Sequence, residues 1–187
     1  ANENRIVYNT NYNSFLKGKI PEMTEIKPRF EFRTFAQSFG IVETRMRKLA
    51  EVEKIRESSE IYIMSAGNSE NNTKIRDDLM DIKVFVTSQK GLEQWNPKMK
   101  GSFPMSAKDI SEKVFSAFGV TTPKFERDEY DLSQLIEEII RPHKDLVPVN
   151  VFKRRFAFTV NECITEYAEL IINTAAIKTV AIESTDV

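Results

Sequence analysis

The feature that most limits how this chain can fold is alternation by two. In Arg29–Arg33 and again, Arg154 apart, in Phe152–Phe158, aromatic side chains take one parity while Arg, Lys and Glu take the other. Successive residues of a strand point to opposite faces, so each stretch makes a ribbon with one apolar face and one ionic face. Separated this way, the apolar set is Phe30, Phe32, Ile82, Val84, Val86, Phe152, Phe156, Phe158, Val160, Ala168, Leu170, Ile172, Val180 and Ile182. The facing set holds Arg29, Glu31, Arg33, Lys74, Arg76, Asp81, Lys83, Lys153, Arg155, Tyr167, Glu169 and Glu183.

Helical spacing interrupts this pattern. Residues 39–57 place Val42, Met46, Leu49, Val52 (or Ala50) and Ile55 on one side, which predicts an amphipathic helix. Ser106 with Asp109 three residues on predicts a helix N-terminus, and Gly119 its end. Asp131 caps a further helix at 132–140, which Pro142 terminates. Three strands are expected between 58 and 88, an irregular loop from Gly91 to Pro104, and three strands after residue 148. The segment 1–28, polar and Asn-rich, reads as an N-terminal arm. The result is an α+β chain with a mainly antiparallel sheet.

Composition narrows the function. One Cys and one His among 187 residues exclude an intrachain disulfide and leave no Cys/His zinc set, so a metal here must sit on oxygen. A formal net charge of −1 gives no reason to expect nucleic-acid binding. No apolar run is long enough to span a membrane, and a cytoplasmic setting is the default. Cys163 reads as a small buried hydrophobe and His143 as a surface histidine at a helix end.

Two arrangements satisfy the alternation. The sheet can pack its apolar face on helices and turn its ionic face to water. Alternatively it can curl into a barrel whose bore carries the ions. Basic side chains at two-residue spacing would then surround phosphate oxygens with charge-assisted hydrogen bonds, and carboxylates in the bore would hold Mg2+ or Mn2+.

The opening FEFR, the Lys-x-Arg of KIR, the following Asp-Ile-Lys, the KRRFAF stretch and the late Glu of VAIEST resemble the CYTH superfamily of triphosphate tunnel metalloenzymes, most strongly over 29–87 and 149–186. FEFRTFA and GLEQWNPKMKG look most like a bacterial branch associated with polyphosphate metabolism. The resemblance implies an eight-stranded antiparallel β-barrel, a tunnel with helices packed on its outside, spanning 29–187. It implies a metal-dependent phosphohydrolase acting on triphosphate or inorganic polyphosphate, with a non-catalytic binding module of the same ligands as the alternative. Carried over by position, Arg29, Arg33, Lys74, Arg76, Lys83, Lys153 and Arg155 would hold phosphates. Glu31 and Glu183 would serve catalysis and metal binding, with Glu169 a third metal ligand.

The pattern also departs from the family. Arg29 stands where the opening motif carries a Glu, and Ala181 replaces the first Glu of a late pair. Relatives continue past VAIESTDV into a closing helix, so the chain is expected to be part of a longer protein, fused to or associated with another domain.

Overall fold

The computed structural model describes residues 29–186, so the expected arm at 1–28 lies outside the described residues. Eight strands close into a barrel: β1 (Phe30–Ala36), β2 (Lys54–Ser65), β3 (Asn71–Arg76), β4 (Leu79–Gln89), β5 (Leu92–Ser102), β8 (Leu146–Val160), β9 (Cys163–Ile172) and β10 (Ala175–Ser184). A small ribbon, β6 (Met105–Ser106) with β7 (Glu129–Tyr130), stands apart from it. Around the barrel the order is β1-β10-β9-β8-β2-β3-β4-β5, every neighbour antiparallel. The ionic face is therefore enclosed rather than turned to bulk solvent. Among the described residues no helix is long and apolar enough to cross a membrane.

Two-residue turns set much of the register. Asp77–Asp78 and Asn161–Glu162 have positive φ at both positions, as do Lys90–Gly91, and each joins strands paired up to the turn. Such left-handed turns match the twist of a hairpin and allow no slippage. Two junctions are short. β1 meets β5 only through Phe30↔Gln94 and Glu31↔Glu93, and β2 meets β3 only through residues 60–62 against 74–76.

The apolar face is covered from outside. Helix α1 (Val42–Leu49) lays Met46 on Phe156, Phe158, Tyr167 and Val180. Two longer helices, α2 (residues 107–118) and α3 (residues 132–140), each containing a π-helical stretch, pack Ile110, Val114, Phe118, Leu135 and Ile140 against Ile63, Ile75, Met80 and Ile82. Their ends follow the expected chemistry. Ser106 accepts from the Asp109 amide at 3.1 Å, Gly119 takes the left-handed conformation, and Asp131 forms a reciprocal capping box with Gln134.

Three expectations are corrected. The first helix is far shorter than 39–57: it stops at Leu49, because Lys54–Ser65 forms an unbroken ladder with β8 that outweighs the helical pattern of side chains. Gly91–Pro104 is largely a strand, with Pro97 at a register shift, where the missing amide costs no regular ladder bond. In β9 the faces are the reverse of the sequence reading. The turn at Asn161–Glu162 pairs Arg155 with Ala168 and Phe156 with Tyr167, so Ala168, Leu170 and Ile172 face the bore while Tyr167 and Glu169 face outward.

Phe158, Thr165, Ile182 and Phe32 form one outer row across four strands. Phe158 is 1% exposed and Phe32 43% exposed. Urea unfolding should therefore show a loss of about 3–5 kcal/mol for Phe158→Ala and less than about 1 kcal/mol for Phe32→Ala.

Candidate functional site

The bore is organised by two buried carboxylates. Glu166 on β9, its side chain 8% exposed, gathers cations from two other strands. Arg33 on β1 donates through Nη1 at 2.9 Å, and Lys153 on β8 through Nζ at 2.7 Å. Arg155 Nε lies 2.6 Å from Oε2, an ion pair whose N–H is not aligned for a hydrogen bond. The Arg33 Nε also donates to Glu31, and its Nη1 lies 3.4 Å from the hydroxyl of the fully buried Thr179. The second carboxylate, Glu60 on β2, has a side chain 1% exposed and pairs with Lys74 at 3.3 Å and Arg76 at 3.5 Å, while Ser58 donates to it at 2.9 Å.

The electrostatics follow from this packing. Burial would raise the Glu166 carboxyl, but Lys153 and Arg33 overcome that effect and hold it down to about 2. Burial opposes the charge on Arg33, and Glu31 with Glu166 more than restores it, above the ordinary guanidinium range. Glu60 is lowered in the same way, burial being outweighed by Lys74, Ser58 and Arg76. Burial lowers Lys74 despite Glu60, and burial together with Glu60 raises Tyr62. Both clusters lie on the inner parity of one closed barrel and so share one enclosed space.

Of the residues singled out from sequence, Arg33, Lys153 and Arg155 meet at Glu166, and Lys74 meets Arg76 at Glu60. Glu31 and Glu183 are register partners on the bore face. Arg29 stands near them, half exposed, 4.0 Å from Glu183. Lys83 shares the bore parity, opposite Asn72 and Pro97, but is exposed and makes no ion pair among the described residues. Glu169 is on the other side of the wall. It lies between Arg154 and Lys178 in an outer row that continues to Glu57, so it cannot share an ion with Glu31.

Sequence reasoning missed Glu60, Glu166 and Arg56. Arg56, on the bore parity opposite Arg155, pairs with Asp77 at 2.6 Å. Glu166 could have been found by counting back from Asn161–Glu162 as a two-residue turn. Arg56 was hidden by the helical reading of its segment. His143 contacts the Thr121 carbonyl at 2.8 Å and the Phe115 ring, away from the bore, and Cys163 is half-buried at the start of β9.

Mg2+ and Mn2+ take few carboxylates and complete their shells with water and substrate phosphate. The Glu31–Glu183 pair fits that donor chemistry. Among the described residues no three His, Cys, Asp or Glu side chains are grouped to hold a metal by themselves.

A depressed carboxyl stabilises the fold above its unfolded value and loses that contribution as pH falls through the folded one. From the ordinary 4.5 to about 2, Glu166 contributes about 3 kcal/mol at neutral pH. In acid-unfolding curves, Glu166→Gln should lack this loss between pH 4.5 and about 2 and be less stable than wild type at pH 7.

No protein-family model matches the sequence, and no curated protein matches it. Among solved structures, one similar chain is HpAC1 from Hippeastrum, a candidate adenylyl cyclase described as having a dominant triphosphatase activity. Its TM-score is 0.44 at 10% identity, over 84% of this chain and 80% of that one. A second is a candidate adenylate cyclase from Bacillus halodurans, at TM-score 0.47 and 11% identity, over 86% of this chain and 83% of that one.

Proposed function

We propose that the bore binds a triphosphate or inorganic polyphosphate and, with Mg2+ or Mn2+, hydrolyses a phosphoanhydride bond. The observation that carries this reading is the convergence of Arg33, Lys153 and Arg155 on one carboxylate, with Lys74 and Arg76 held across the same space. A chain of phosphates offers several anionic oxygens for such cations to hold, and Arg supplies planar two-pronged donors. Glu31 and Glu183 would hold the metal, which when bound neutralises phosphate charge and lowers the pKa of a coordinated water. The cations orient the phosphate chain and offset charge on the departing group. Glu169 has no part in this, because it faces outward.

A second reading has its own support. The Glu31 carboxylate is tied to Arg33, and Glu183 stands beside Arg29. Carboxylates already engaged by guanidinium groups favour a module that grips phosphate chains without cleaving them, and that targets or senses through a partner domain.

Phosphate release from tripolyphosphate with Mg2+ or Mn2+ separates the two. Hydrolysis is expected in wild type and should vanish in Glu31→Gln and Glu183→Gln with binding retained; saturable binding without turnover under either metal establishes the module instead. Tripolyphosphate at about 100 times its Kd should stabilise the fold by about 2.7 kcal/mol. Arg155→Ala should weaken binding about tenfold or more, and Glu169→Gln should leave it unchanged. No stabilisation by tripolyphosphate defeats both readings.

A further inference from the structure

The bore is not lined alike from end to end. Every neighbouring pair of strands is antiparallel, so the C-terminal ends of β1, β9, β2 and β4 share one mouth with the N-terminal ends of β10, β8, β3 and β5. Toward the other mouth the lining is ionic, with Glu31, Glu183, Arg155, Arg56 and Arg76.

At the first mouth the bore-facing residues turn apolar. Phe35 continues the row of Thr179, Ala168 and Arg155, while Ile177 and Leu170 continue the row of Lys153. Ile172 pairs with Val151, which pairs with Glu60; Val149 pairs with Tyr62 and Val147 with Met64. Phe85 and its register partner Trp95 lie two residues along from Lys83 and Pro97, on the same face. None of these side chains belongs to the two cores beneath the helices.

The apolar end is open. Leu170 and Val151, deeper in, are each 7% exposed, whereas Phe35, Met64 and Val147 at the rim are 52%, 55% and 56% exposed. A cavity of about 230 Å³, where Ile63–Ser65 of β2 and Asn71–Thr73 of β3 part, opens against Tyr62, Met64 and Trp95. Trp95 gives its indole N–H to Glu93, so its ring is what it offers there. Such walls hold nothing for a phosphate chain, because they neither donate hydrogen bonds nor offset charge. Left in water they are unfavourable, and covering them with hydrocarbon is not. A lining that changes from ionic to apolar within one bore complements a molecule that makes the same change.

We propose that the apolar half of the bore holds the hydrocarbon tail of an alkyl or isoprenyl di- or triphosphate whose phosphates lie among Arg33, Lys153 and Arg155. The assignment rests on the phosphate reading of the bore and adds the other end of the ligand. A polar ribose and base gain little from aliphatic walls, which makes the tail a hydrocarbon and not a nucleoside.

The test is calorimetric titration of the full chain with ethyl, butyl and octyl triphosphate, with ATP, and with inorganic tripolyphosphate as the tail-free reference. Affinity should rise about threefold or more for each methylene buried, making octyl triphosphate at least about thirtyfold tighter than the ethyl ester. ATP should bind no better than the ethyl ester. Met64→Gln with Val147→Thr, and separately Phe35→Gln, change side chains that are more than half exposed, so the fold is retained. Each variant should cut the ratio of octyl triphosphate to tripolyphosphate affinity about tenfold. Equal affinity for the ethyl and octyl esters, ATP as tight as the octyl ester, or a ratio that neither variant lowers overturns the hydrocarbon site and leaves the phosphate reading intact. If tripolyphosphate and all the esters fail to bind, that reading and the tail site fall together.

Discussion

The bore depends on one buried carboxylate shared by three cations. Without Glu166, Arg33, Lys153 and Arg155 would bring three positive charges together with only Glu31, paired to Arg33, to offset them. Removing one partner from a buried cluster leaves uncompensated charge, which is why such groups are costly to break and modest in net stabilisation when whole. Here the cluster does more than stabilise. It holds long, flexible side chains pointing into the bore. Glu60 plays the same part for Lys74 and Arg76. The cage is assembled without any anion, so on the proposed reading an incoming phosphate would exchange one set of charge-assisted contacts for another instead of ordering free side chains.

Division of labour between the two faces of the wall explains the composition. Aromatic and branched residues face the helices and form two cores, one under α1 and one under α2 and α3. The ions face inward, where they are opposed in sign and close in space. Outside, the row Glu57, Arg154, Glu169 and Lys178 alternates in sign across neighbouring strands. Cross-strand pairs of this kind contribute a few tenths of a kcal/mol each and keep a bare stretch of wall soluble. A near-zero net charge is thus compatible with a convergence of cations, because carboxylates such as Glu166 and Glu60 stand among them in the bore.

Much of this was legible in the sequence, and the failures have physical causes. Alternation in β1 and, Arg154 apart, in β8 was clear, and the ionic parity it separated lines the bore. In β9 it was ambiguous: Cys163–Ile172 is apolar at both parities, so hydrophobicity alone could not say which face was which. Register decided it, and register was set by a two-residue turn that composition does not announce. Residues 50–57 failed for a different reason. Their spacing suits a helix locally, but pairing with β8 over twelve residues is a tertiary gain that no local pattern records. The cavity beside Asn71 and Thr73 was illegible, since it arises from where two strands cease to pair.

The tight turns between β3 and β4, β4 and β5, and β8 and β9 have an evolutionary corollary. Insertion of a single residue at Asn161 would rotate everything downstream by half a pleat, sending Glu166 into solvent and Tyr167 among the cations. Length variation of that size is thereby barred from these hairpins. Room to grow without turning the lining inside out is left to the longer connections: β1–β2 with α1, β2–β3, and the helical excursion between β5 and β8.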